Sequence, residues 1–146
     1  MKKILVSAVV LLSGLAHSAW AGGQQITAQA GADGRSIVVR TYRCGTPASF
    51  TVHGTAEGVV NGQRRTLPVE ISSATEPGVF NVARQWPSEG KWVLVLSVDG
   101  ERRVSALVEL EPGPAVRISA QKSSYEEPSP DSIRAALAGA ASAGAR

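Results

Sequence analysis

Pairs of turn-forming residues recur at short intervals along most of this chain and limit it to short strands. Asn-Gly and Asp-Gly dipeptides tolerate the positive φ angles that two-residue hairpin loops require. Three such dipeptides, and four further clusters of Pro and Gly, occur at 33–34, 61–62, 99–100, 45–47, 76–78, 87–90 and 112–114. The runs between them are rich in Val, Ile, Thr and aromatic residues, which favour strands. This spacing predicts three hairpins in an all-β chain.

The runs between the turns predict seven or eight strands, at 25–30, 36–44, 48–60, 63–73, 79–85, 91–98, 102–110 and 115–120. In the seventh run, Val104, Ala106 and Val108 alternate with other residues and share one face. Residues 92–96 are apolar at every position, which is typical of a central strand covered on both sides. Short antiparallel strands at this spacing predict an immunoglobulin-like β-sandwich, with a small β-barrel as the alternative.

The N-terminus has the features of a secretory signal peptide. Lys2 and Lys3 precede an apolar run over 4–15, and Ala19-Trp20-Ala21 follows it as a small-x-small cleavage site. We therefore expect a signal peptide over 1–21, cleaved after Ala21. The apolar run is shorter than the roughly 20 residues that span a bilayer, so no transmembrane segment is expected after cleavage.

The composition of the chain limits the cellular compartments and the classes of partner that can be expected. Loss of Lys2 and Lys3 lowers the net charge from +3 to +1, which gives no reason to expect nucleic-acid binding. The mature chain has one Cys, and neither Asn61 nor Asn81 begins an Asn-x-Ser/Thr sequon. This combination favours a bacterial periplasmic or secreted protein.

The C-terminal quarter differs in character from the rest of the chain. The sequence predicts a β-sandwich over 22–120 and a flexible tail over 121–146. Ser129 and Pro130 suit the cap and first position of a helix, but only a thin apolar stripe follows them. A short helix over 131–141 that docks only on a partner is the alternative to a flexible tail.

The residues that usually bind metals or act as bases are scarce. The mature chain contains one His (His53), one Cys (Cys44) and no Met, too few ligands for a blue-copper or structural zinc site. No Gly-x-Ser-x-Gly nucleophile motif is present. We therefore predict no cofactor and no catalytic residues, and we expect a protein that is not an enzyme.

Cys44 allows three interpretations at this point. It is a buried small hydrophobe, an exposed thiol that forms a disulfide dimer, or a reactive thiol with His53 as its imidazole partner. His53 is out of phase with Phe50 and Val52, so a solvated position on the strand is the simpler prediction for it.

Tryptophan and arginine supply the candidate binding residues. Trp86 and Trp92 flank a Pro/Gly turn; Trp92 begins the most apolar strand and is predicted to lie in the core. An exposed Trp86 beside Arg84 would stack on a sugar or an apolar partner, whereas a core position is the alternative. The pairs Arg64-Arg65 and 102–103 each follow a hairpin turn, where they form an anion patch together or simply guard edge strands.

Gly78, Phe80, Gly90 and Trp92 fall in the order G-x-F … G-x-W-x-L. Over residues 45–110 this pattern resembles small exported immunoglobulin-like domains of the YtkA/FixH-like and CopC-like families. The resemblance implies a β-sandwich in the bacterial envelope, and only these four structural residues carry over. Some of those relatives handle copper through His and Met residues that this chain lacks, so the resemblance does not imply a copper site.

Three functions follow as hypotheses. The first is a non-enzymatic binding or accessory domain that contacts another envelope protein through a sheet face, an edge strand or the tail. The second is a small-ligand or carbohydrate binder that uses Trp86 and nearby Arg residues. The third is a thiol-redox protein or enzyme centred on Cys44.

Overall fold

A computed structural model describes residues 22–139, which form ten strands and one helix. The elements are β1 (Gln24–Ala30), β2 (Ser36–Arg43), β3 (Thr46–Pro47), β4 (Thr51–Val60), β5 (Gln63–Pro68), β6 (Ile71–Ser73), β7 (Val79–Ala83), β8 (Lys91–Asp99), β9 (Val104–Leu110), β10 (Ile118–Ser124) and α1 (Pro130–Gly139). The predicted signal peptide, 1–21, and the predicted end of the helix, 140–141, lie outside the described residues.

The strands form two antiparallel sheets that pack face to face. Sheet A has the order β1-β2-β7-β6, with β3 paired to β2, and sheet B has the order β10-β9-β8-β4-β5. Alternate residues of both sheets point inward and form one apolar core, which includes Ile26, Ile37, Val39, Phe80, Val82, Leu94, Leu96 and Val108. The predicted all-β sandwich is confirmed.

The three predicted hairpins are present, and the Asn61-Gly62 dipeptide forms its turn with both residues at positive φ. They close β1 to β2, β4 to β5 and β8 to β9. In the second turn, Asn61 and Gly62 have φ angles of 50° and 76°. In the first turn, the carboxylate of Asp33 accepts the backbone N–H of Arg35 at 2.9 Å and, at 2.8 Å, the hydroxyl of Ser36. These bonds favour the ionised form and lower the pKa of Asp33 below its ordinary value.

Two of the predicted strands differ from the observed ones: the first is shorter than predicted and the second is divided in two. The run 48–60 begins as β4 only at Thr51, after the short β3. The run 63–73 leaves sheet B after Pro68 and joins sheet A as β6. The last backbone bond of this run to β4 comes one residue after Pro68, where the N–H of Val69 donates to the carbonyl of Gly54 at 3.3 Å, so the chain changes sheet between Val69 and Ile71. The alternation of core-facing residues predicted for this run continues across the change of sheet, because Val69 and Ile71 both pack against the core.

Strand β8 lies at the centre of sheet B and is covered on both faces, as its sequence predicts. Trp92 and Leu94 face the core. Val93 is fully buried on the opposite face, where α1 packs against it through Ile133 and Ala136.

The C-terminal segment is more ordered than the predicted flexible tail. Strand β10 continues to Ser124, and α1 packs on sheet B of its own domain rather than on a partner. The hydroxyl of Ser129 caps the helix by accepting the N–H of Ser132 at 3.1 Å. The few apolar residues of α1 are sufficient to hold the helix in place, because the apolar area of sheet B that they cover is also small.

A glycine on β4 makes room for the indole of Trp92. A Cβ at Gly58 would overlap the indole ring of Trp92. The ring nitrogen of Trp92 donates to the carbonyl of Glu89 at 2.9 Å, which fixes the ring in place.

Candidate functional site

The structure places Trp86 in the core and uses Arg84 to hold loops together. Trp86 is only 4% exposed, so a ligand cannot stack on its indole. The guanidinium of Arg84 lies 5.9 Å from the centre of this ring. It donates to the carbonyls of Trp86, Pro87, Gly113 and Pro114 at 2.8 to 3.0 Å. Arg84 therefore satisfies four backbone acceptors and is not free for an anionic ligand.

The two arginine pairs do not form a common anion patch. The β4–β5 turn lies beside the first residue of β8, whereas 102–103 follow its last residue. Nine residues of β8 separate them, a distance of about 27 Å at the usual rise of a strand. Arg64 and Arg65 lie on the edge strand β5, and Arg64 pairs with Glu57 at 3.5 Å. This arrangement fits the edge-guarding role.

Cys44 lies in a turn between two strands of sheet A, whereas His53 lies on β4 of sheet B. Cys44 is exposed in the β2–β3 turn with a φ of 50°, so the buried interpretation is wrong. His53 is on the outer face of sheet B, where its Nε2 lies 2.9 Å from the carboxylate of Asp99. Within residues 22–139 the His53 ring makes no hydrogen bond to the thiol. The dimer and redox interpretations of Cys44 remain predictions.

Between residues 22 and 139, no three His, Cys, Asp or Glu side chains come together in a way that would hold a metal ion. No helix in the same range is long and apolar enough to cross a bilayer.

A groove of about 810 Å³ runs along the side of the sandwich where β1 and β10 face each other. This volume is within the range of ligand-binding clefts, roughly 300–1,000 Å³. Residues 24–27 of β1 form one wall and 121–125 form the other. Ile26 and Val104, which are both buried, supply the apolar part of the lining.

Side chains of β10, rather than its backbone, contact the outward edge of β1. The carboxamide of Gln121 accepts the N–H of Ala28 at 2.9 Å and donates to the carbonyl of Ile26 at 3.3 Å. The hydroxyl of Ser123 donates to the same carbonyl at 3.3 Å. The two sheets are thus connected along this side without a backbone ladder.

One end of the groove carries an aromatic ring and positive charge. Tyr125 is 49% exposed and is the one large hydrophobic residue among 22–139 that is exposed. The guanidinium of Arg102 lies 5.8 Å from its ring centre. Lys122 is the one cation of the lining, which contains no carboxylate. Gln24 extends under the β8–β9 turn, where its Oε1 accepts the N–H of Arg102 at 2.9 Å.

The sequence alone did not predict this groove, because β10 extends further than its pattern indicated. The predicted last strand ended at 120, before Gln121 and Ser123. A signal was nevertheless present, because 24–30 contains no charged residue and no proline. A segment without charge or proline is poorly protected against pairing with another strand if it lies at a sheet edge.

Comparisons with protein-family models, with curated proteins and with solved structures found no match for this chain. The resemblance to YtkA/FixH-like and CopC-like domains therefore stays a prediction.

Proposed function

We propose that this chain is an exported, non-enzymatic binding domain that holds another bacterial envelope protein in the groove between β1 and β10. The observation that carries the proposal is the groove itself, which is walled by two sheet edges not joined by backbone hydrogen bonds. Exposed strand edges are common sites of protein–protein recognition.

The contrast between the two sides of the sandwich supports this choice. On the opposite side, β5 carries Arg64, Arg65 and Pro68, and β6 has only three residues. Charge, proline and shortness all discourage pairing at an edge. Strand β1 has seven residues with neither charge nor proline, and β10 has Lys122 as its single charge.

The other binding surfaces that the sequence suggested are less accessible to a partner than the groove. Trp86 is buried, which removes the indole that carbohydrate stacking required. Helix α1 covers part of the outer face of sheet B. The groove, with a volume of about 810 Å³, has both apolar and hydrogen-bonding groups in its lining.

Site-specific photo-crosslinking in the native host tests this proposal. A photoreactive amino acid is placed at Thr27 or Lys122, which line the groove, and at Arg65 or Arg117 as controls on other surfaces. We expect a discrete crosslinked protein from the groove positions, much weaker from the controls. Equal crosslinking at all four positions, or none at the groove, would contradict the proposal.

A further inference from the structure

We infer that the partner contributes an extended segment that pairs with the outward edge of β1 and displaces the carboxamide of Gln121. This inference rests on the proposed function and names how the partner is held. The occupant is a polypeptide in strand conformation with an acidic side chain near Lys122.

The backbone of β1 presents the groups that such a segment needs. The N–H of Ala28 and the carbonyl of Ile26 both point towards β10. Because outward and inward groups alternate along an antiparallel strand, the N–H of Ile26 and both backbone groups of Gln24 face the same way. The groove lies against this stretch, since residues 24–27 form its wall.

Gln121 indicates what kind of molecule fits this edge. Its Nε2 donates to Ile26 and its Oε1 accepts from Ala28, the same two bonds that one residue of a parallel neighbouring strand makes. The carboxamide therefore stands in for one residue of a paired strand. It satisfies two groups of β1 while the edge is free, and a longer segment would replace both bonds and add more.

The charge of the lining selects among peptide segments. Lys122 lines the groove without any carboxylate beside it in the lining, and Arg102 lies against Tyr125 at one end. The carboxylates near Arg43 and Arg103 already form ion pairs with them, at 3.1 and 3.4 Å. An acidic side chain on the segment is thus complementary to the groove, whereas a basic one is not.

Nuclear magnetic resonance titration of the mature chain tests the inference. The probes are two capped heptapeptides of alternating Thr and Val, one with a central Glu and one with a central Lys. We expect the Glu peptide to shift the amide resonances of Ile26 and Ala28 and the side-chain amide of Gln121. The Lys peptide binds more weakly.

Two variants and one matched control give the experiment its specificity. Gln121→Ala removes the competing carboxamide, so the Glu peptide binds about fivefold more tightly, the equivalent of one recovered hydrogen bond. Ala28→Pro removes the N–H and abolishes the binding, and proline is tolerated at an outward edge position. Gln29→Ala changes a β1 residue that bonds Arg40 outside the groove, so peptide binding is unchanged. The amide spectrum of each variant establishes that it folds.

The outcomes separate the two proposals. Saturable shifts that Gln121→Ala strengthens and Ala28→Pro removes support the inference. Crosslinking at Thr27 and Lys122 without peptide shifts in either the natural chain or Gln121→Ala overturns strand pairing and leaves the proposed function standing. Peptide binding unaffected by Gln121→Ala overturns the displacement of the carboxamide. Failure of both crosslinking and titration rejects both proposals.

Discussion

Replacement of Arg84 by Met should strongly destabilise the domain, although a binding role would predict no such effect. The Met side chain keeps much of the aliphatic contact with Trp86 but has no donors for the four carbonyls that Arg84 satisfies. A hydrogen bond to a charged group contributes about 1.5–3 kcal/mol, and neighbouring bonds are not additive. Three of the four bonds are partly buried, so we expect a loss of about 3 kcal/mol in the free energy of unfolding.

Urea unfolding of the mature chain measures this loss. Trp86 and Trp92 are both buried, so their fluorescence reports the transition. With a denaturant slope of about 1.5 kcal/mol per molar urea, the midpoint should fall by about 2 M. Arg84→Lys should give an intermediate loss, because a compact ammonium reaches fewer of the carbonyls than a guanidinium fork.

Arg64→Met is the matched control, since Arg64 is a half-exposed residue with a single ion pair on an edge strand. Its loss should stay within about 0.5 kcal/mol. If Arg84→Met and Arg64→Met shifted the midpoint by similar amounts, the assignment of Arg84 as a structural residue would be refuted.

Four further predictions follow from the fold. Gly58→Ala should cost about 2–3 kcal/mol in unfolding free energy, because the new methyl overlaps the indole of Trp92. Ile133→Asp should release α1 at a cost of about 2 kcal/mol and speed hydrogen exchange in the helix. The Cys44 thiol should react with an aromatic disulfide reagent in the folded state, because it is exposed. Asp33→Asn should make stability less sensitive to acid. Because folding lowers the pKa of Asp33, its carboxylate stabilises the fold at pH values above the ordinary pKa of an aspartate. This stabilisation is lost as the pH falls through the pKa of Asp33 in the folded state.

Each of these predictions has a control or a contrary result. Gly139→Ala adds a methyl where nothing lies within 4 Å, so it should not destabilise. Unchanged helix exchange in Ile133→Asp would show that α1 is held by other contacts. A Cys44 thiol that reacts only after unfolding would contradict its exposed position. Equal acid sensitivity of Asp33→Asn and the natural chain, in urea titrations at about pH 6 and about pH 2.5, would remove Asp33 as the cause.

Local signals in the sequence were sufficient for much of the fold. The Asn61-Gly62 turn required no knowledge of distant residues, since its dipeptide alone favours the hairpin conformation. The unbroken apolar run of β8 correctly indicated cover on both faces. The helix that covers it was predicted only as an alternative to a flexible tail, and its docking on sheet B was not predicted, because its apolar stripe is thin and the strip of sheet B that it meets is distant in sequence.

The candidate site depended on information that no local pattern carries. Gln121 gains its role only because β10 and β1 are the facing edges of different sheets, and strand order is a property of the whole fold. Trp86 and Arg84 illustrate the converse. Their sequence suits a binding surface, but Arg84 bonds the carbonyls of Gly113 and Pro114, which lie 29 and 30 residues away, and so belongs to a structural network.

The position of α1 has a consequence for the order in which the domain can be completed. The helix is the last described element of the chain, and it packs on β8 and β9, which are made well before it. As the chain is synthesised from its N-terminus, Val93 and Leu107 stay uncovered until the residues of α1 have been made. A chain that stops before Ile133 would leave this apolar strip open to contact with other chains, and a trimmed domain should aggregate where the full one does not. Truncations that remove α1 are therefore expected to harm the domain as mutations in its core do.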